Sequence, residues 1–193
     1  ISTLGLILSL VIGFSTALMR FSSSLVLNIL CQVYIEAVRN TPLLIQLFII
    51  YFGISPVTGL TPFVSAVLAL SLFEGAYASE IIRSGIETVP RGQWEAAQTL
   101  GLGTTGIYLK VILPQVMRQT LPMLAGQSVS LVKDSALVST IAIYDLTMQG
   151  QRIVSETFLT FEIWFTVALC YFSITASLSF LIKRLEDKFE FVE

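Results

Sequence analysis

The sequence predicts an all-α integral membrane protein, and its composition together with two uncharged runs supports that prediction. Of the 193 residues, 54% are apolar and only 12% are charged, whereas soluble domains carry about 25% charged residues. The mean hydropathy is +0.82. Residues 1–19 and 163–182 contain no charged side chain, and each is about as long as a helix that crosses the hydrocarbon core of a bilayer. Most of the chain is therefore expected to lie in lipid.

Five membrane spans are predicted from the positions of the apolar runs and their breaks. Asn40-Thr41-Pro42 is a helix-start signal, because proline is tolerated in a first turn, where its missing N–H has no partner to lose. The mixed segment before it, residues 22–38, is compatible with a helix lying at the membrane interface. The predicted spans are about 1–20, 29–53, 62–83, 119–143 and 162–183, and a polar loop that cannot span covers 84–118.

The distribution of lysine and arginine predicts the orientation of these spans. With five spans, the region 20–39, the loop 84–118 and the C-terminal tail share one side of the membrane, and the basic residues outside that side are Arg152 and Lys133. Basic residues mark cytoplasmic loops, so the loop and the C-terminus are expected in the cytoplasm and the N-terminus outside. Since Ile1 lies within an apolar run, the first span is expected to have lost its start, with a further segment upstream.

Several classes of function are disfavoured by the composition. The chain contains no histidine, which is the commonest metal ligand, and Cys31 and Cys170 lie in apolar stretches typical of packing residues. No metal site and no catalytic residue are predicted. The net charge of −2 gives no basis for nucleic-acid binding. A secondary transporter powered by ions and a membrane enzyme are the alternative classes.

The polar loop contains glycines spaced as in nucleotide-binding motifs. Residues 101–106, GLGTTG, match G-x-G-x-x-G, but the dinucleotide fingerprint requires a preceding strand and a later acidic residue. Here a helical stretch precedes the glycines, and residues 121–128 include no acidic side chain. The spacing also fits a phosphate-binding P-loop, which continues with lysine and then serine or threonine, whereas Ile107 and Tyr108 follow here. The chain is not expected to bind nucleotide through either motif.

Two short helices joined by a turn explain the same glycines better. Residues 94–100 are predicted to form a helix that Gly101 ends in the left-handed conformation. Ala96 and Ala97 would form a small flat face and Leu102 would project at the turn, which suits docking into a groove of another protein. The residues alone leave open whether the loop docks or is a simple interfacial loop.

The loop resembles the EAA loop of permease subunits of ATP-binding-cassette (ABC) importers. In that family E-A-A is followed by three residues, a glycine, nine residues and I-x-L-P. Here residues 95–101 read EAAQTLG, and residues 111–114, VILP, come nine residues later, with Val111 in place of the usual isoleucine. The resemblance implies a cytoplasmic coupling helix that contacts an ATPase. The residues to which it assigns this role are Glu95, Ala96, Ala97, Gly101, Leu102 and Pro114.

Three further segments, residues 34–46, 75–86 and 133–139, resemble permeases for polar amino acids. The resemblance covers about residues 1–190 and implies a five-helix type I permease core in the bacterial plasma membrane. It implies a second permease subunit, identical or homologous, two ATPase subunits that bind ATP and Mg²⁺, and an external substrate-binding protein, which some members carry fused upstream. No cofactor is expected in this chain. The expected substrate is a polar amino acid, with basic ones preferred; glutamine or another small solute is the alternative.

Polar side chains inside the predicted spans are the candidate substrate contacts, since such groups are costly in a membrane and mark pathways or ion pairs. Glu74 lies about half way along the third span. It is a counter-charge for a cationic substrate group, a partner for a cation on a neighbouring span such as Lys133, or a protonated side chain with no role. Ser71 and Tyr77 share its helical face, and a dimer contact is their alternative role. The candidate contacts are Ser71, Glu74, Tyr77, Asp134 and Ser135, and the candidate ion pair at the membrane edge is Glu80 with Arg83.

Overall fold

The computed structural model describes residues 1–22 and 24–190, with side chains up to Arg184, and its regular secondary structure is entirely helical within those residues. Ser23 and residues 191–193 lie outside the description, as does the side chain of Lys188 in the predicted cytoplasmic tail. The α-helices are α1 Ser2–Arg20, α2 Leu25–Arg39, α3 Leu43–Thr58, α4 Pro62–Glu87, α5 Arg91–Thr99, α6 Thr104–Ile107, α7 Leu113–Asp134, α8 Leu146–Thr157 and α9 Thr160–Glu190. The other helical segments are π-helical Ile49–Ile54 within α3, π-helical Tyr108–Ile112 before α7, and 3₁₀-helical Ser135–Ile141 after it.

Among the described residues, three helices are long and apolar enough to cross a membrane: α1, α4 and α9, the last over Thr160–Arg184. α2 and α3 qualify together as one broken span, with an angle of 108° between them. α7 has 22 residues and is therefore about 33 Å long, but it carries the charged residues Arg118, Lys133 and Asp134. The five predicted spans correspond in position to α1, α2 with α3, α4, α7 and α9, and a crossing by α7 remains a prediction.

Helix α4 forms the centre of the bundle and is more deeply buried than α1 or α9. It begins at Pro62, where the Thr61 hydroxyl accepts a hydrogen bond from the Val64 amide at 3.3 Å and caps the helix. Membrane helices associate by close packing of small residues, because lipid offers no hydrophobic driving force between them. The small buried residues of α4 are Ser65, Ala66, Ala69, Ser71, Gly75, Ala76, Ala78, Ser79 and Gly85.

Glycines set the distance between α4 and its neighbours. A Cβ atom on Gly13 of α1 would lie 2.6 Å from the Ala78 Cβ and 3.1 Å from the Gly75 carbonyl oxygen, so only glycine permits this crossing. A Cβ atom on Gly85 would likewise collide with Thr120 of α7. Helices α1 and α7 therefore approach α4 more closely than side chains at these glycines would allow.

The second predicted span is broken at Pro42 instead of being one continuous helix. Pro42 is extended, with φ −64° and ψ 138°. Its ring breaks the helix because it removes an amide donor and disfavours a helical conformation of the preceding residue. The Gln46 side chain satisfies the backbone at the break, since its nitrogen donates to the Val38 carbonyl at 2.7 Å and to the Thr41 hydroxyl at 2.8 Å. The proline marks this boundary in the sequence, but the 108° turn and the Gln46 contacts appear only in the structure.

Replacing Gly13 with alanine should destabilise the protein, because the added Cβ would overlap Ala78 and force α1 away from α4. Overpacking of this kind costs about 1–3 kcal/mol. Gly126 in α7 is the matched control, since a Cβ there would meet nothing within 4 Å and alanine is the better helix former by about 0.5–1 kcal/mol. Thermal unfolding of the purified variants should give a lower Tm for Gly13→Ala and an equal or higher Tm for Gly126→Ala. An unchanged Tm for Gly13→Ala would contradict the close packing of α1 on α4.

Candidate functional site

The coupling segment, defined here as residues 91–112, connects α4 to α7 and contains most of the EAA-like motif. Its first helix, α5, ends as predicted, with Gly101 left-handed at φ +74°. The Gly101 amide donates to the Gln98 carbonyl at 2.9 Å, and the Leu102 amide donates to the Ala97 carbonyl at 3.2 Å. This is the hydrogen-bond pattern of a Schellman motif, and it fixes the direction in which the chain leaves α5.

The Schellman motif turns inwards two side chains that the sequence predicted to be exposed. It brings the residue after the glycine against the last helical turn, so Leu102 packs on the core and Ala97 is only 2% exposed. The predictions that Leu102 projects and that Ala97 forms an exposed face are therefore wrong. Leu100 projects instead, with 80% of its surface exposed, and Glu95 and Ala96 are also exposed.

An apolar cluster joins the coupling segment to the membrane helices. Ala97, Ile107 and Ile112 of the segment are buried in it together with residues of α1, α4 and α7. Protein interiors are close-packed and transmit strain, so the segment has little freedom to move independently of these helices. The cluster, called the coupling core below, consists of Ala17, Ala78, Ile82, Ile86, Val89, Ala97, Ile107, Ile112, Val116 and Leu124.

Two aromatic rings add a contact within the coupling segment. The rings of Trp94 and Tyr108 meet edge to face with their centroids 5.1 Å apart, which is a favourable geometry. Burial raises the pKa of Tyr108 above its usual 10.0, so the phenol loses its proton even less readily than an exposed tyrosine does. Tyr108 also opens the π-helical segment that leads to Pro114, which is exposed in the first turn of α7.

Glu74 belongs to α4, and its side chain lies between α4 and α7 with only 1% of the residue exposed. The Nε2 atom of Gln127 donates to Glu74 Oε2 at 2.6 Å, and the other carboxyl oxygen has no hydrogen-bond partner among the described residues. Asp134 is the other acidic group near Glu74, whereas Lys133 has an exposed side chain. Two neighbouring carboxyl groups are stabilised by a proton or a cationic group between them, so the pair is a candidate site for positive charge.

Ser71, Tyr77 and Ser135 lie apart from this pair. The Ser71 hydroxyl is fully buried and donates to the Val67 carbonyl at 2.5 Å, and the Ser135 hydroxyl donates to a carbonyl three residues earlier at 2.7 Å. Tyr77 faces α2, where the Arg39 guanidinium lies 5.3 Å from its ring centroid. Positions three residues apart on a helix differ by about 60° in direction, so Ser71 and Tyr77 meet different neighbours from Glu74.

Gln127 is the member of the site that the sequence analysis did not single out. The available signal was an amide side chain within the predicted fourth span, seven residues before Asp134. Residues seven apart lie on the same face of a helix, so a polar stripe from Gln127 to Asp134 was visible in the pattern. The structure thus brings together Glu74, Gln127 and Asp134.

The C-terminal half of α4 carries a separate charged cluster. Glu80 pairs with Arg83 at 3.1 Å, as the i, i+3 spacing predicts, and also with Arg39 at 3.3 Å and with Arg20. Arg20 and Arg39 are the last residues of α1 and α2, where a positive charge is favoured by the helix dipole. A single carboxylate therefore ties the ends of two helices to α4.

Comparison with known proteins identifies the family to which this fold and site belong. Residues 9–191 match the family described as binding-protein-dependent transport system inner membrane component. The chain is 37% identical over 191 residues to the glutamine transport system permease protein GlnP of Escherichia coli (strain K12), covering 97% of this chain and 87% of that protein. It is 44% identical over 155 residues to the L-cystine transport system permease protein TcyB of Bacillus subtilis (strain 168), covering 79% of this chain and 66% of that protein.

A solved structure has the same fold. The crystal structure of an amino acid ABC transporter with histidines contains a chain that is 36% identical, with a TM-score of 0.90, covering 97% of this chain and 88% of that one. The predicted fold class, an all-α integral membrane protein with a five-helix type I permease core, is confirmed by this match and by the family. The chain therefore belongs to the binding-protein-dependent transport system inner membrane components, the permease subunits of ABC importers.

Proposed function

We propose that the chain is the permease subunit of an ATP-driven importer that carries polar amino acids across the bacterial plasma membrane by alternating access. The coupling core supports this most directly, because it packs the coupling segment onto α4 and α7, the helices that hold Glu74, Gln127 and Asp134. Movement of the segment would move the helices that surround the site for positive charge. An importer of another small solute would share this arrangement, whereas a transporter powered by ions would need no coupling segment.

The exposed face of the coupling segment is the proposed contact with the ATPase. Glu95, Ala96 and Leu100 face outwards and would enter a groove on a separate ATPase, two copies of which bind ATP and Mg²⁺. This chain itself needs no cofactor and catalyses no reaction. A second permease subunit would complete the pathway, and an external binding protein, separate or fused, would deliver the substrate. The family description as binding-protein-dependent supports the last partner.

The proposed orientation places the coupling segment and the C-terminus in the cytoplasm and the N-terminus outside. The arginines that surround Glu80 lie at the end of α4 that leads into the coupling segment, as expected of a cytoplasmic side. ATP is a cytoplasmic substrate, so the contact with the ATPase must lie on that side as well.

Amino acids are the proposed substrates because the site for positive charge matches the α-ammonium group that they share. Among the relatives, GlnP is named for glutamine and TcyB for L-cystine, and the solved amino acid transporter is described with histidines. The second carboxyl at the site, that of Asp134, favours basic amino acids, whose side chains add another cation. Since Glu74 is buried, α7 has to move away from α4 before a substrate can reach it.

Substitutions on the exposed face of the coupling segment should uncouple ATP hydrolysis from uptake. Glu95→Lys reverses a charge and Leu100→Asp replaces the projecting leucine, and neither touches the coupling core, so membrane insertion should be unchanged. Uptake of radiolabelled amino acid by proteoliposomes that contain the ATPase is expected to fall on the order of tenfold, which is the typical effect of losing one anchor residue of an interface.

Val57→Asp is the matched control for these variants, since Val57 is an equally exposed apolar residue at the end of α3, outside the coupling segment. Val57→Asp should copurify with the ATPase as the parent protein does, while Leu100→Asp should lose it. Normal copurification and normal uptake by both Glu95→Lys and Leu100→Asp would refute docking through this face.

Replacing Glu74 with glutamine should reduce the uptake of basic amino acids more than that of neutral ones. The substitution removes a negative charge but keeps a hydrogen-bond partner for Gln127, so the fold should survive. A hydrogen bond to a charged group contributes on the order of 1.5–3 kcal/mol, which corresponds to about a tenfold or larger loss of arginine uptake at low concentration. The measurement compares arginine, lysine, histidine and glutamine in proteoliposomes.

Ser65→Ala is the control for the Glu74 variant. Ser65 is fully buried in α4 and its hydroxyl donates to the Thr61 carbonyl at 3.1 Å, so this substitution should leave uptake unchanged. Parent-level uptake of all four amino acids by Glu74→Gln would remove Glu74 from the substrate site. Equal loss of all four, together with a lower amount of protein in the membrane, would assign Glu74 a structural role instead.

A further inference from the structure

A basic notch lies on α7 where it leaves the coupling segment. The notch has a volume of about 280 Å³ and is lined by Lys110, Val111, Pro114, Gln115 and Arg118. Lys110 and Arg118 are exposed, and neither takes part in the ion pairs among the described residues. Since no acidic side chain of the described residues belongs to this lining, the positive charge of the notch is not balanced within the described part of the chain.

The second feature is an apolar groove whose lining includes residues of α7 close in sequence to Arg118. It has a volume of about 570 Å³ and lies between α1, α4 and α7. Met117 and Leu121, which flank Arg118 on α7, are exposed and line the start of the groove. The polar side chains in the described lining are two hydroxyls, those of Ser15 and Ser128.

We propose that the notch and the groove form one binding site for an anionic phospholipid, with the phosphate at Lys110 and Arg118 and an acyl chain in the groove. Basic pockets at the edge of transmembrane helices bind anionic headgroups, and two cations without an acidic neighbour match a phosphate. The apolar side chains that line the groove can pack against an acyl chain. An amino acid zwitterion would lose its hydrogen bonds to water there without replacing them.

The position of the site relative to the membrane agrees with a lipid. Arg118 directly precedes the predicted span 119–143, so the notch lies at the level of the headgroups and the groove extends from it into the apolar region. A second copy of the chain would cover an exposed apolar face, but it would not account for the two cations of the notch. Because Lys110 belongs to the coupling segment, a bound lipid would contact the part of the chain that meets the ATPase.

The test uses the permease with its ATPase in phosphatidylcholine vesicles that contain phosphatidylglycerol carrying a photoreactive diazirine in one acyl chain. After irradiation, peptide mass spectrometry is expected to find adducts within residues 117–128. The double variant Lys110→Gln/Arg118→Gln should lower their yield on the order of tenfold, because each basic residue near the bilayer surface strengthens anionic-lipid binding severalfold. A phosphatidylcholine with the same diazirine chain should label the parent protein at the level of the double variant.

Arg152→Gln is the matched control, since Arg152 is an exposed cation of α8 that lines neither the notch nor the groove. Its labelling should equal that of the parent protein. Equal labelling by the two lipids, or by the parent and the double variant, would overturn the proposal. A third result would also overturn it: no adducts in the parent protein, together with a disulfide between two copies of the Leu121→Cys variant. Such a disulfide would show that a second copy of the chain covers the groove. Labelling reports whether lipid occupies the groove and does not depend on uptake. The result of this test is therefore independent of which substrate the permease carries.

Discussion

The apolar contact between the coupling segment, α4 and α7 determines how a movement of the segment can spread through the molecule. Ile112 is fully buried, and Ile86 and Val116 in the same cluster are buried as well. Close-packed side chains cannot shift one at a time without opening cavities or overlapping. A displacement of the exposed face around Leu100 is therefore passed to the membrane helices by packing, and not absorbed by a flexible loop.

In the proposed mechanism, helix α4 receives that displacement and holds the polar groups that it would affect. A polar group in lipid must be satisfied within the protein, and most of those on α4 are. Ser71 bonds to its own helix, and Glu80 gathers arginines from α1 and α2. Ser79 and Glu74 are the exceptions, because the Ser79 hydroxyl and one carboxyl oxygen of Glu74 have no partner among the described residues. Under the proposed function, the unsatisfied Glu74 oxygen is where a cationic group of the substrate would gain most from binding.

Local signals in the sequence predict the helices and their ends well, because proline and glycine act on the backbone next to them. Pro42 marks the break between α2 and α3, and Gly101 marks the left-handed end of α5. The inward turn of Leu102 depends on two hydrogen bonds that close after the glycine, and apolar character alone does not reveal it. Contacts between helices that are distant in sequence, such as Gln127 with Glu74, depend on how those helices pack, which the pattern of a single helix does not encode.

Transmission through the coupling core is tested most directly by the number of ATP molecules hydrolysed per amino acid taken up by proteoliposomes. Ile112→Ala would open a cavity in the core, where such a truncation costs about 2–5 kcal/mol, while Leu109→Ala removes an exposed leucine of the same π-helical segment. The ratio should rise for Ile112→Ala and stay at the parent value for Leu109→Ala, with the complex intact in both. An unchanged ratio for Ile112→Ala in an intact complex would contradict transmission by packing.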